Sequence, residues 1–248
     1  MTSTNAEPTS NDRPLPHVTI VIPVYNEEGL LETAVVSLRE ALRERFGWPY
    51  ELILAENGSL DATLPIARRL SEKYPEVRYI ALGEPNYGKA LKRGILESRG
   101  HYVICDEIDL CDVDFYHRAL EKLDLGYELV VGSKLAPGAE DKRPVFRHVA
   151  TRVINGLLHL TTGFKGTDTH GLKAFVRDRL LETVADCLVE RDLFASELVI
   201  RAERRNIRIC EIPIRVVEKR APSINLVRRV PGVLKGLVKL AVAVRIRS

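Results

Sequence analysis

The sequence has no run of the roughly 18 consecutive apolar residues that a membrane-spanning helix needs. Residues 1–16 are rich in Thr, Ser, Asn and Pro, carry no apolar core of the kind a secretory signal has, and read as a disordered lead-in. Four cysteines (Cys105, Cys111, Cys187 and Cys210) show no CxxC spacing, which excludes a paired-thiol motif and points to reduced thiols in a cytosolic protein. Six histidines (His17, His101, His117, His148, His159 and His170) do not cluster at metal-ligand spacing. Packing or surface roles are expected for them, with His170, in a glycine-punctuated loop, the one to watch. A net charge of +3 is too mild to imply a nucleic-acid partner. No internal repeat or linker divides the chain. A soluble or peripheral cytoplasmic protein is expected.

What is present is one long alternation of strands and helices. With 248 residues and 45% hydrophobic composition, the chain can build one large α/β domain. Apolar runs predict strands near 18–24, 50–55, 77–82, 101–106 and 128–133. Amphipathic stretches predict helices near 28–46, 61–74, 88–99 and 113–124, with Asp61 as an N-cap. This alternation implies a mostly parallel sheet with right-handed crossovers. Beyond Ser133 the spacing predicts a long helix near 146–161, a strand at 172–176 and helices near 178–186 and 193–205. A last strand at 207–217 and a helical tail at 224–246 complete the reading.

Polar residues stand just where the apolar strands run out. In an open α/β sheet that edge is the ligand crevice. Pro23-Val-Tyr25-Asn-Glu27 offers a stacking ring and a carboxylate to a base or ribose. The competing reading is an ordinary helix N-terminus, capped by Asn26 and favoured by Glu27 and Glu28. Glu56-Asn57-Gly-Ser-Leu-Asp61 can address a base edge or simply cap a helix. Asn86-Tyr-Gly88-Lys89 opens a helix; its glycine lets the backbone approach a ligand, and Lys89 or Arg93 faces phosphate unless it is merely solvated. Asp106-Glu107-Ile-Asp109 is the strongest signal. Two carboxylates one residue apart after a buried strand can share Mg²⁺ or Mn²⁺ with a diphosphate, the alternative being a solvated acidic turn.

Taken in order, these segments resemble the family 2 glycosyltransferases of the GT-A fold, most of all the polyprenyl-phosphate (dolichyl-phosphate) mannosyl- and glucosyltransferases. The resemblance covers roughly 17–220. Val21-Ile-Pro-Val-Tyr-Asn-Glu-Glu28 is similar to the family's opening strand and nucleotide loop, and Glu56 to Thr63 to its Asp-Asp-Gly-Ser-x-Asp-x-Thr. Glu107-Ile-Asp109-Leu falls on its Asp-x-Asp-Leu metal motif, Val131-Gly-Ser133-Lys134 on its Gly-Ser-Arg, and Asp168 to Phe175 on its Asp-x-x-Ser-Gly-Phe-Arg-Ala-Phe. Glu56-Asn57, Glu107, Cys111 and His170 depart from the usual residues.

The resemblance implies a GT-A domain over 17–223, a nucleotide-binding half joined to an acceptor half, followed by a basic amphipathic helix over 224–248. It implies inverting transfer of a hexose from a GDP- or UDP-sugar. Pro23, Tyr25, Glu27, Glu56, Asn57, Lys89 and Asp106 would hold the donor, and Glu107 and Asp109 the metal. Asp109, Lys134 and Arg220 would be catalytic, with Lys219 near Arg220. An acceptor alcohol would need a general base, for which Asp168, Asp192 and Glu197 are available. An acceptor phosphate needs none. Ser133, Lys134 and Arg147, with Lys142 and Arg143, supply hydroxyl and charge for one, which favours a polyprenyl phosphate at the membrane surface. In the tail, Val230, Val233, Leu234, Leu237, Ala241 and Val244 recur at helical spacing opposite Lys235 and Lys239, as in an interfacial helix. The helix near 146–161 could do likewise; both could instead pack on the domain or on a membrane-protein partner. A hydroxyl acceptor, or nucleotide-sugar binding with degraded catalysis, remains the alternative.

Overall fold

The computed structural model describes residues 15–141, 145–216 and 226–246, with side chains described outside 141–150, 192, 216, 226–234 and 246. Strands β1 (Val18–Val24), β2 (Tyr50–Glu56), β3 (Val77–Ala81), β4 (Tyr102–Cys105) and β5 (Leu129–Ser133) alternate with helices α1 (Leu31–Arg45), α2 (Thr63–Lys73), α3 (Tyr87–Leu96) and α4 (Val113–Asp124). The second half holds β6 (Glu140–Asp141), α5 (Val145–Thr162), β7 (Lys173–Val176), α6 (Arg177–Asp186), a 3₁₀ turn (Arg191–Leu193), α7 (Phe194–Arg204), β8 (Ile209–Pro213), β9 (Arg215–Val216) and α8 (Leu226–Ile246). The last expected strand is therefore split at Ile214, and β6 was not foreseen; β6 and β9 pair in parallel as a separate small ribbon.

The main sheet runs β3-β2-β1-β4-β7-β5-β8 and is parallel except for β7, which lies antiparallel between β4 and β5. Helices cover both faces, so the central strands are apolar on both sides, and this explains their unbroken hydrophobic runs. Alternate residues divide between two cores. Ile20, Ile22, Leu52 and Leu54 pack with Leu31, Val35, Leu38, Ile66, Phe115 and Tyr116 on one face. Val21, Ile53 and Val103 pack with Leu91, Ile95, Phe194, Leu198 and Leu158 on the other.

In the tail, packing on the domain is the arrangement observed. Leu237, Leu240 and Val244 of α8 are buried in that second core, and Ala243 is buried beside them, so the apolar side of the helix packs on the domain itself. Its C-terminal carbonyls are capped from α7. Arg201 donates to Ala243 O at 2.7 Å, and Arg204 donates both to Val244 O at 2.7 Å and to Thr162 O of α5 at 2.9 Å. One guanidinium thus closes the ends of two helices, where orphan carbonyls and the helix dipole both favour a cation. No helix among the described residues is long and apolar enough to cross a membrane.

Candidate active site

β1, β2, β4 and β5 all end at one edge of the sheet. Because β7 runs the other way, the segment that precedes it, 167–172, arrives at the same edge. The strand order reverses between β1 and β4, and this opens a crevice beyond their ends.

The loops after β1 and β2 are stitched together on one side of that crevice. Leu60 N donates to Asn26 Oδ1 (2.8 Å), Asn26 N to Ser59 Oγ (3.0 Å) and Glu27 N to Thr63 Oγ1 (2.7 Å). Ala62 N donates to Glu28 Oε2 (3.0 Å) and Glu28 N to Asp61 Oδ2 (3.2 Å). Asn26 takes a φ of +53°, a left-handed conformation that asparagine tolerates better than most residues. The N-cap position of α2 belongs to Ala62, one residue past the expected Asp61, although Asp61 still accepts from Thr63 N at 2.9 Å. Tyr25 is exposed at the mouth, Glu27 half-buried, and Pro23 buried within β1.

Several residues expected to touch the donor are engaged in holding loops. Glu56 Oε1 is buried and accepts from Ser59 N, and Asn57 Oδ1 accepts from Asn86 N. Asn86 also caps α3 through Lys89 N, accepts from Arg191 N at 3.0 Å, and donates from Nδ2 to Glu190 Oε2 at 2.7 Å. Gly88 serves this junction and not a ligand: a Cβ there would lie 2.6 Å from Arg191 O and 2.7 Å from Phe194 Cβ. Lys89 is exposed and paired with Glu84, while Arg93 pairs with Glu97 and reaches Ala81 O.

Asp106 is bound within the fold. It is 2% exposed, and its carboxylate accepts from Glu107 N at 2.6 Å, Asp112 N at 3.1 Å and the Tyr116 hydroxyl. With both oxygens hydrogen-bonded inside the fold, it positions the 107–112 loop. Burial pushes its carboxyl up to about 7, against donation from Tyr116 and the two amides. The loop it secures carries Glu107, exposed, and Asp109, half-buried. Among the described residues no cluster of three or more His, Cys, Asp or Glu could hold a metal alone. Two carboxylates on a rigid turn fit Mg²⁺ or Mn²⁺ all the same, because such ions commonly take one or two protein oxygens and complete their shell with substrate phosphate and water.

Across the crevice, Lys134 Nζ lies 3.0 Å from Asp168 Oδ2, with side chains 10% and 1% exposed. Burial alone would raise the Asp168 carboxyl; the Lys134 ammonium and the amides of His170 and Lys134 hold it below the usual range. Ser133 is buried. Its hydroxyl accepts from Leu135 N and Ala136 N and is shared with Thr167 Oγ1 at 2.7 Å, so it shapes the turn that aims Lys134. Glu211 on β8 fixes Thr167 by accepting from both its amide and its hydroxyl. Lys173, which sequence reasoning passed over, is also buried here. It donates to Gly171 O at 2.7 Å, and burial brings its ammonium down to about 8. A lone lysine within the apolar run Leu172–Val176 is the signal that could have found it.

Of the expected bases, Glu197 is 0% exposed and paired with Arg201 at 2.7 Å, so it cannot reach an acceptor. The side chain of Asp192 lies outside the described residues. So do Lys142, Arg143, Lys219 and Arg220, while Arg147 is described only as part of the α5 backbone.

A nucleotide-binding type of sheet with an acidic turn at its switch point fits a GT-A glycosyltransferase, and comparison establishes the family. The family model for glycosyl transferase family 2 matches residues 19–185, and the chain belongs to that family. It is 31% identical to glycosyltransferase AglD of Haloferax volcanii over 87% of this chain and 35% of that protein. It is 28% identical to a dolichyl-phosphate beta-glucosyltransferase of Trichomonas vaginalis, over 93% of this chain and 72% of that one. Against an undecaprenyl-phosphate 4-deoxy-4-formamido-L-arabinose transferase of Edwardsiella ictaluri it is 32% identical over 85% of this chain and 63% of the relative. The chain therefore spans between about a third and three quarters of the length of these relatives. In fold it matches glucosyl-3-phosphoglycerate synthase of Mycobacterium tuberculosis, with a TM-score of 0.65 and 20% identity over 91% of this chain and 80% of that one; its structures include complexes with UDP and Mn²⁺.

Proposed function

We propose that this glycosyltransferase moves a hexose from a GDP- or UDP-linked sugar, with inversion, to a polyprenyl or dolichyl phosphate at the membrane surface. The observation that carries this reading is the meeting, at one sheet edge, of the Glu107–Asp109 turn with the Lys134–Asp168 pair. Glu107 and Asp109 would hold Mg²⁺ or Mn²⁺, which when bound offsets the charge that builds on the departing nucleoside diphosphate. Tyr25 and Glu27 line the donor side, with Lys89 near the diphosphate. Lys134 supplies a positioned cation toward an acceptor that is already an anion.

The fate of the candidate bases supports an acceptor phosphate over an acceptor hydroxyl. Glu197 is locked in an ion pair, and Asp168 is almost wholly buried, its oxygens taken by Lys134 and by the amides of Lys134 and His170, while Lys134 keeps some exposure. A phosphate acceptor attacks without losing a proton, so it does not need either of them. The relatives whose names specify dolichyl or undecaprenyl phosphate support the same choice.

The test is transfer from a panel of UDP- and GDP-sugars, with and without Mn²⁺ and a polyprenyl phosphate. Metal-dependent glycolipid formation is expected, and Asp109→Ala should abolish it. Unchanged turnover in that variant would refute the metal role. Calorimetric binding of a nucleoside diphosphate without turnover on any acceptor would favour a degraded enzyme instead.

A further inference from the structure

His170 is exposed, yet its place is fixed from several sides. Its amide donates to Asp168 Oδ1 at 2.9 Å, while Lys134 Nζ holds the other oxygen of the same carboxylate at 3.0 Å. Its ring Nδ1 lies 3.1 Å from Thr169 Oγ1, which in turn lies 2.8 Å from Ser196 Oγ in the first turn of α7. Thr169 and Ser196 are both 0% exposed, so a buried pair of hydroxyls sets the direction of a solvent-facing ring. The next residue is clamped as well. Lys173 donates to Gly171 O at 2.7 Å, and Gly171 packs so closely on Gly132 O that a Cβ would lie 1.6 Å from it. A histidine that only meets water needs none of this. Fixing one ring nitrogen through a partner is how an imidazole is oriented for use at the other.

We propose that His170 is a contact residue for the acceptor phosphate, forming with Lys134 the anion-binding edge of the crevice. Asp168 is 1% and Lys134 10% exposed, so a ligand reaching this turn meets the imidazole and the ammonium, with the carboxylate behind them. With Nδ1 turned to Thr169, Nε2 is on the far side of the ring. When Ser196 donates to Thr169 and Thr169 to Nδ1, a neutral ring carries its proton on Nε2, a donor suited to a phosphate oxygen. A protonated ring donates there too and adds charge. Lys134 alone is a point charge on a flexible stem, and the planar ring supplies the direction it lacks. His170 is also tied to both halves of the site. It is bonded to the acceptor-side pair directly, and its ring is oriented by α7, whose Phe194 packs against Gly88 at the donor-side junction. Serine is usual here in the family segment that 168–175 resembles, so the contact belongs to this chain. The assignment rests on the lipid-phosphate reading for the identity of the anion.

The experiment has two parts, both on the full chain. The first follows the histidine ring nitrogens by NMR during titration with geranyl phosphate, a short polyprenyl phosphate, and with geraniol, in the absence of donor and metal. The His170 signals, assigned among the six histidines by their loss in His170→Gln, should shift saturably with the phosphate and not with the alcohol. The second is steady-state transfer to geranyl phosphate. His170→Ser should raise the acceptor KM about tenfold, the size of one hydrogen bond to a charged group, and leave the donor KM unchanged. His170→Gln, which keeps an amide donor at similar reach, should restore most of the loss. Circular dichroism checks that both variants fold. Absence of a His170 shift, an equal shift with geraniol, or a change in donor KM in place of acceptor KM would each overturn the proposal. A phosphate-specific shift without transfer to any polyprenyl phosphate would sink the functional reading alone; transfer with an unchanged acceptor KM in His170→Ser would sink this one alone.

Discussion

Lys134 and Asp168 form an ion pair in which one charge is nine-tenths buried and the other almost wholly so. Removing a single partner strands the other. Lys134→Met should cost on the order of 3–5 kcal/mol, whereas Lys134→Met with Asp168→Leu should recover much of the loss. Urea denaturation of the three proteins checks this, and a single variant as stable as wild type would show the two charges to be uncoupled. The carboxyl is held below its ordinary value, so its contribution is complete above about pH 4 and is lost as pH falls further. The stability gap between wild type and Asp168→Asn should therefore shrink in acid.

Asp106 should behave with the opposite sign. Its folded value near 7 exceeds the unfolded one near 4. The folded state thus favours the neutral form, and stability contributed below about pH 4 should be lost as pH rises toward 7. Asp106→Asn should flatten the stability profile across that window. The same change should lower kcat through a looser 107–112 turn, because asparagine cannot accept from all three donors. A pH titration of stability by chemical denaturation, run beside steady-state kinetics, tests both outcomes.

Gly171 is predicted to tolerate nothing larger. A Cβ at that position would lie 1.6 Å from Gly132 O, a backbone atom of β5 that cannot step aside. Gly171→Ala should fail to accumulate as folded protein. Gly88→Ala, with contacts at 2.6–2.7 Å to the 191–194 segment, should fold but lose about 1–3 kcal/mol and loosen the Asn86 junction. Expression yield and thermal melting separate the two.

Arg201 carries a second buried pair. It is bound to Glu197 and also to the Ala243 carbonyl, so Arg201→Met should cost about 3–5 kcal/mol and release the end of α8. Hydrogen exchange of the α8 amides is the direct readout, and unchanged protection would refute the capping role.

Much of the sheet was legible because covering both faces demands unbroken apolar strands, as in Val18–Val24 and Tyr50–Glu56. The crevice was legible for a related reason: polar residues directly after such strands have few other places to go. What remained hidden were partnerships across long sequence separations. Nothing local shows that Asn86 will be bound by Glu190 and Arg191, or that Gly88 exists to admit that segment. Asp106 looked like a ligand because its neighbours do; its capture by Tyr116 depends on how α4 returns under the loop. For α8, spacing revealed an apolar side but not that α7 and α5 would cover it.

The first two loops of the site bind each other in both directions, with Asn26 and Glu28 accepting from the amides of Leu60 and Ala62, and Ser59, Asp61 and Thr63 accepting in return from the amides of Asn26, Glu28 and Glu27. Neither loop can therefore be remodelled alone. A lineage adapting this pocket to another base would have to change both sides in concert, so differences among relatives at 26–28 are expected to travel with differences at 59–63.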